Sequence, residues 1–353
     1  MSAQRVGFLL PHFRTGGAER VVLHWIEALD RCRWQPVLLL GRVEGDLLAH
    51  LPRDVAVIAI GGGRALLRPL RIARALAAQR IDVAYSATSA MNLALLAAPT
   101  KVPRIVSEHT QPDAFRREAK WPLLRQAGTR LLTRRAAAVA VPTAAIGEAV
   151  RGAPVVVVRN PVLREAPPPL GDKPRHGSRV VAAGRLVPAK GFDTMLEAAA
   201  LLKARGVTYT LTIYGEGPLR DALVAQVARL GLGDHVTLPG TTDSLSAELA
   251  AAGLVVSSSR REGFGNVLIE AMAVGTPVLA TRAGGPETFI DHARNGFLVA
   301  ADDPAALADA IGGLLADADQ RLAVREPARE TAAHYTVTAS VAEFEALLLT
   351  RVT

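Results

Sequence analysis

The 353-residue chain has a single cysteine, Cys32, so no disulfide can form within it. Its eight histidines show no Cys/His spacing of the kind that holds zinc. A secreted scaffold built on disulfides is excluded, and a structural zinc site is not expected. Aromatic residues are scarce, at 4%. Modules that hold glycans or single-stranded nucleic acid by stacking alone need more than that. No apolar run approaches the ~18–20 residues of a membrane-spanning helix. The longest, Met91–Ala98 and Ala136–Val141, both end at a proline. The opening Met1–Leu10 is closed at once by Pro11 and His12 and is expected to be a first strand, not a signal peptide. These absences predict a cytoplasmic chain.

What is present is enough to fold. Half of the residues (50%) are hydrophobic and 21% are charged, a composition that fills a core. At ~100–200 residues per domain the length predicts two domains. The charge is divided unevenly: residues 1–163 carry 23 Lys and Arg against 11 Asp and Glu, and residues 164–353 carry 18 against 22. Arginine accounts for 36 of the 41 basic residues, which base composition explains, but the split between halves needs another cause. A basic first half suits a polyanion: nucleic acid, an anionic membrane surface or a phosphorylated substrate.

Short β-branched runs alternate with helical patterns throughout. Strands are predicted at Val6–Leu10, Val37–Leu40, Val55–Ile60, Val83–Ser86, Ile105–Ser107, Val139–Val141 and Val155–Val158. A stretch rich in proline and glycine follows at 164–178 and reads as a linker. The alternation then restarts at Val180–Ala183, Tyr209–Ile213, Val236–Leu238, Leu254–Ser257, Pro277–Ala280 and Phe297–Val299. Helices are expected between them, among them 113–136, 319–333 and a last one near 339–350. The strands are apolar rather than alternating, as in a parallel sheet covered on both faces. The expectation is two α/β domains, with a ligand in the cleft between them at the carboxyl ends of the strands.

Four segments carry chemistry. Gly16 and Gly17 open the first helix, where backbone N–H groups can meet an anion, although a plain strand-to-helix turn explains them equally well. Arg185 and Lys190 flank the corresponding turn of the second half, between Gly184 and Gly191, and are placed to clamp a diphosphate. Glu262 precedes a glycine turn, and Glu270 lies in the apolar helical stretch that follows; a carboxylate there suits sugar or ribose hydroxyls. Ser107-Glu108-His109 ends a central strand; a lone histidine is more often structural than catalytic, but a strand end facing the cleft favours contact with a ligand.

Together these segments resemble the retaining GT-B glycosyltransferases of family 4. The resemblance spans nearly the whole chain. It rests on Gly16-Gly17-Ala18-Glu19-Arg20, Ser107-Glu108-His109, Asn160-Pro161, Gly184-Arg185 with Pro188-Ala189-Lys190-Gly191, and Tyr214-Gly215-Glu216-Gly217-Pro218. The Glu262 to Glu270 segment and the Gly284-Gly285-Pro286-Glu287 turn complete it; Gly265 stands where the family usually has proline.

The resemblance implies a GT-B fold: an acceptor-binding Rossmann-like domain over 1–163, rejoined by a crossover helix at 339–353, and a nucleotide-sugar-binding domain over 179–338. It implies that Arg185 and Lys190 hold the donor diphosphate with Gly16, Gly17 and the backbone at Gly265, Asn266 and Val267. Glu270 would bind the ribose. Glu262, Phe264 and His109 would contact the donor sugar, Glu262 and His109 at the reaction centre. No metal or other cofactor is implied. The implied reaction moves a hexose or N-acetylhexosamine from a nucleoside-diphosphate sugar, with UDP-sugar favoured, to a lipid-linked or polysaccharide acceptor. A sugar-nucleotide epimerase of the same fold, or a non-catalytic sugar-nucleotide-binding protein, is the alternative. Arg116, Arg117 and Lys120 sit beside Trp121, a mixture that suits an acceptor's lipid phosphate or the inner face of the membrane. The expected location is cytoplasmic, peripherally attached to that face, with no nucleic-acid partner.

Overall fold

The structure, a computed structural model, describes residues 3–14, 16–61, 68–108, 131–148, 150–170 and 176–352. The expected helix at 113–136 therefore lies mostly outside the described residues. The chain divides into two compact units, Met1–Arg164 with Thr336–Thr353, and Glu165–Tyr335.

Among the described residues the first unit holds seven strands: β1 (Gln4–Leu10), β2 (Trp34–Leu40), β3 (Ala56–Ala59), β4 (Val83–Ser86), β5 (Arg104–Ser107), β6 (Ala138–Val141) and β7 (Val155–Val157). All pair in parallel, in the order β3-β2-β1-β4-β5-β6-β7. Successive residues serve opposite faces. Phe8 and Leu10 enter one core with Trp25 and Tyr85. Leu9 enters the other with Leu39, Ile72 and Leu95. Both faces are thus apolar, which is why the strands read as unbroken hydrophobic runs.

The second unit holds β8 (His176–Ala183), β9 (Thr210–Tyr214), β10 (Val236–Gly240), β11 (Ala252–Ser257), β12 (Val278–Thr281) and β13 (Phe297–Val299). They too are all parallel, ordered β10-β9-β8-β11-β12-β13. The strand order reverses between β8 and β11. In open parallel sheets, ligands bind beyond the carboxyl ends of the strands at such a reversal.

Two boundaries differ from expectation. The first strand of the second unit begins at His176, inside the stretch read as linker. The chain rejoins the first unit at Thr336, where Val337 N donates to Leu163 O at 2.7 Å, and the last helix runs Val337–Val352. The single helix expected at 319–333 is two, Ala318–Ala323 and Arg325–Ala333, the first capped by Asp317. Pro327 explains the break, since proline has no N–H to continue the preceding helix and is tolerated only in a first turn.

Candidate active site

The loops after β8 and β11 meet at the strand reversal of the second unit. The first carries Gly184, Arg185 and a single turn, Pro188–Lys190. The second runs from Ser258 to Gly265 and opens the helix Asn266–Ala273. Gly191 lets them touch: its φ is +61°, and a Cβ there would run into the Ser258 carbonyl. Ser258 Oγ in turn donates to Lys190 O at 3.0 Å.

That contact sets the chemistry. Lys190 Nζ donates to Glu262 Oε2, and Ser259 Oγ donates to the same oxygen at 3.2 Å. The lysine side chain is 26% exposed and the glutamate 13%, so the pair forms a half-buried charge couple with one face open. Arg185 is exposed, and its guanidinium makes no hydrogen bond or ion pair among the described residues. Gly265, with φ +103°, supplies no side-chain cap to the helix it starts. The first N–H groups of that helix, at Asn266 and Val267, are suited to an anion. Glu270 lies on the same helix, half-buried and engaged. The second unit thus brings two cations, a carboxylate and a helix start to one end of its sheet.

The Glu262 backbone is itself fastened. Its N–H donates to Ala283 O at 3.0 Å, and its carbonyl accepts from Gly285 N at 2.8 Å. A Cβ on Gly285 would lie 2.6 Å from Phe264 N, so only glycine permits this approach. Gly284 N is capped by Glu287 Oε2 at 2.9 Å. Phe264, expected at the donor sugar, has its ring buried against Phe289 and Tyr335, with centroids 5.0 and 5.1 Å away. The ring anchors the loop; only the Phe264 backbone is left to face a ligand.

In the first unit, Gly16 and Gly17 start the helix Gly17–Ala28, but the space behind Gly16 is taken by the carboxylate of Glu19. Glu19 is 8% exposed, 3.7 Å from His12 Nδ1, and burial raises its pKa above the usual carboxylate value. The helix start that was expected to hold phosphate already faces an acidic group of its own first turn. His109, Arg116, Arg117 and Lys120 lie outside the described residues.

Arg260 has no role that its sequence context reveals, yet its guanidinium is bidentate with Asp193 at 2.7 and 2.9 Å. Burial pushes the Asp193 carboxyl up, but the hydrogen bonds and charge of Arg260 outweigh it and hold the pKa below the usual range. Asp193 lies in the first turn of the helix Phe192–Ala204, Arg260 and Asp302 lie in two separate loops, and no sequence spacing links them. Among the described residues no group of three or more His, Cys, Asp or Glu is arranged to hold a metal. No described helix is long and apolar enough to cross a membrane.

Comparison with known proteins divides the chain at the same place. Residues 15–165 match the model described as Glycosyltransferase Family 4, and residues 172–331 match that of Glycosyl transferases group 1. The lipopolysaccharide core biosynthesis glycosyltransferase LpsE of Rhizobium meliloti is 38% identical over 160 residues, 45% of this chain and 46% of that protein. A GDP-mannose-dependent alpha-(1-6)-phosphatidylinositol monomannoside mannosyltransferase of Mycobacterium tuberculosis is 35% identical over 170 residues, 46% of this chain and 43% of that protein. The matched stretches therefore span less than half of these curated relatives. Among solved structures, HepE of Anabaena in complex with UDP and glucose superposes with a TM-score of 0.80 at 22% identity, covering 98% of this chain and 100% of that one. The outer core galactosyltransferase WaaB in apo form gives 0.74 at 16% identity, covering 98% and 99%.

Proposed function

Because the chain belongs to the family 4 glycosyltransferases and has the GT-B fold, we propose that it transfers a hexose or N-acetylhexosamine from a nucleoside-diphosphate sugar to a lipid-linked or polysaccharide acceptor. One observation carries this reading. The Lys190–Glu262 couple, Arg185 and the uncapped start of Asn266–Ala273 share the strand reversal of the second unit.

In this reading the donor diphosphate takes the place beside Arg185, Lys190 and the N–H groups of Asn266 and Val267. Negative charge builds on the leaving diphosphate as the glycosidic bond breaks. Two cations and a helix start, with Lys190 held in place beforehand by Glu262, stabilise that charge more than they stabilise the bound substrate, which lowers the barrier. No metal ion is assigned a step. Glu262 faces the transferred sugar, where its carboxylate offsets positive charge developing at the anomeric carbon. Glu270 accepts from the ribose hydroxyls, and His109 is assigned to the donor sugar. Retention of configuration follows if the acceptor attacks from the side the diphosphate leaves, with a diphosphate oxygen taking the acceptor proton.

UDP is the preferred nucleotide, supported by the HepE structure with UDP and glucose. The named activities of LpsE and the mannosyltransferase support a saccharide or lipid-linked acceptor. Docking on an anionic membrane surface is part of the proposal, supported by the basic first half. On the helix Arg68–Ala78, Leu70 is 47% exposed and Arg74 is exposed, a pairing suited to such a surface.

The test is thermal. A ligand at 100 times its Kd adds about 2.7 kcal/mol to stability, so UDP and its sugars should raise the melting temperature more than GDP and its sugars. Release of nucleoside diphosphate that quickens when a lipid-linked acceptor is added supports transfer. No release from any donor sugar leaves only a binding role.

A further inference from the structure

Arg260 lies two residues before Glu262, and its guanidinium has five N–H donors. All five have acceptors. Nε donates to Asp302 Oδ1 at 2.7 Å. Nη1 donates to Asp193 Oδ1 at 2.7 Å and to Pro188 O at 3.0 Å. Nη2 donates to Asp193 Oδ2 at 2.9 Å and to Thr194 Oγ1 at 2.8 Å. Thr194 Oγ1 then donates to Asp302 Oδ1 at 3.2 Å, which closes a ring through the arginine. Asp302 reaches this place with φ +61°, in the left-handed region that side-chain-bearing residues seldom adopt. A guanidinium so fully engaged has no donor left for a phosphate or a sugar, although its side chain is only part-buried, at 29% exposed. Its work is mechanical.

What it holds is the turn that carries Lys190. The segment from Ser258 to Arg261 captures three consecutive carbonyls of that turn. Pro188 O accepts from the Arg260 guanidinium, Ala189 O from the Arg260 and Arg261 N–H groups at 2.9 and 3.2 Å, and Lys190 O from Ser258 Oγ at 3.0 Å. The same short segment continues into Glu262. The spacing between the Lys190 and Glu262 main chains is therefore set by these straps, before any ligand arrives.

We infer that Arg260 is the positioning residue of the donor site, acting through Lys190: with Asp193 and Asp302 it fixes the Lys190 turn against the Glu262 loop, so that the ammonium meets the leaving diphosphate without rearrangement. This rests on the donor-site reading given above. Such preorganisation is what makes a charge catalytic, and displacement by about 1 Å costs about 100-fold in rate.

The experiment compares Arg260→Lys, Arg260→Gln and Asp193→Asn in the full chain, with Lys190→Ala as reference. Nucleoside-diphosphate release is measured well below each melting temperature. Arg260→Lys keeps the charge but loses the fork, so kcat should fall about 10- to 100-fold, with donor KM changed less than about threefold, and Asp193→Asn should do the same. In a Lys190→Ala background Arg260→Gln should cost no more than about twofold, because the residue it positions is gone. A fall in kcat that only tracks the folded fraction overturns the inference. So does an equal fall in both backgrounds, or an intact Arg260→Lys enzyme beside a crippled Lys190→Ala one. A fully active Lys190→Ala enzyme overturns the donor-site reading and the inference together. Should Arg260→Gln fail to fold, Arg260→Lys and Asp193→Asn carry the same comparison.

Discussion

Trp25 and Phe344 stack face to face, with ring centroids 4.2 Å apart and planes 5° from parallel. One comes from the first helix and the other from the last, so this pair closes the first unit across the length of the chain. The contact is reinforced on both sides. Trp25 Nε1 donates to Ser340 Oγ at 2.8 Å, Arg159 N donates to Glu343 Oε2 at 2.8 Å, and Asp30 N donates to Glu345 Oε1 at 2.8 Å. Tyr85 and Phe8 pack edgewise and tilted on Phe344, at 5.3 and 5.8 Å.

Phe344 is fully buried, and deleting so large a ring leaves a cavity that neighbours fill only in part. Phe344→Ala should therefore cost about 3–5 kcal/mol, read as a lower urea midpoint for the first unit. Truncation before Ser340 should cost more, because the bonds from Trp25, Arg159 and Asp30 go with it. A Phe344→Ala protein within about 1 kcal/mol of the parent would show that the final helix is not part of that core.

His24 makes the first unit sensitive to acid. Its Nδ1 donates to Pro161 O at 2.6 Å. Burial lowers its pKa below 6.5, helped by Arg164 and Arg20 and opposed by the Pro161 carbonyl and Glu27. The unfolded chain takes up a proton near pH 6.5 that the folded one refuses until lower pH. Stability is then complete above about pH 6.5 and is lost as pH falls toward the folded value. His24→Gln keeps an N–H for the carbonyl and removes the titration. The parent should lose urea resistance relative to His24→Gln between pH 7 and pH 5; a constant difference across that range would remove His24 from the pH response.

The strands were legible because each core face is apolar: Val37, Leu38, Leu39 and Leu40 serve two cores in turn, so burial on both sides is written as an unbroken run. The Lys190 and Glu262 segments were legible because glycines at 191 and 265 mark where the backbone turns with positive φ. Phe264 misleads for a physical reason. The family resemblance implies a ring at the donor sugar, but the ring's burial depends on Phe289 and Tyr335, which the sequence does not place beside it. The Arg260 brace was invisible for a similar reason. Asp193 opens the helix after β8, Arg260 follows β11 and Asp302 follows β13, and only the order of strands in the sheet makes neighbours of the three.

The membrane proposal is tested at Arg116, Arg117 and Lys120. Each cation near an anionic leaflet contributes only about 1 kcal/mol, so the three must act together. Changing all three to Ser should weaken sedimentation with phosphatidylserine-containing liposomes and raise the acceptor KM, while donor hydrolysis stays near the parent rate. Unchanged sedimentation and unchanged acceptor KM would point to a soluble acceptor.

The donor clamp is tested at Arg185 and Lys190, and the two substitutions should differ in side effects. The Arg185 guanidinium is exposed and has no partner among the described residues, so Arg185→Ala should lower kcat with no change in melting temperature. Lys190→Ala also strips Glu262 of its counter-charge and, among the described residues, leaves its carboxylate Ser259 alone, at 3.2 Å. An unpaired half-buried carboxylate is costly, so some loss of stability should accompany the loss of rate. Lys190→Ala with Glu262→Gln separates the two, since it should recover stability without recovering turnover. For each cation the expected fall in kcat is about 100- to 1,000-fold, the size seen when one donor to a developing anion is removed. Activity should persist in EDTA, because the clamp and the Asn266–Ala273 helix start carry the leaving-group charge. A near-normal rate for Lys190→Ala, or an absolute need for added Mg²⁺ or Mn²⁺, would mean that the charge is met elsewhere.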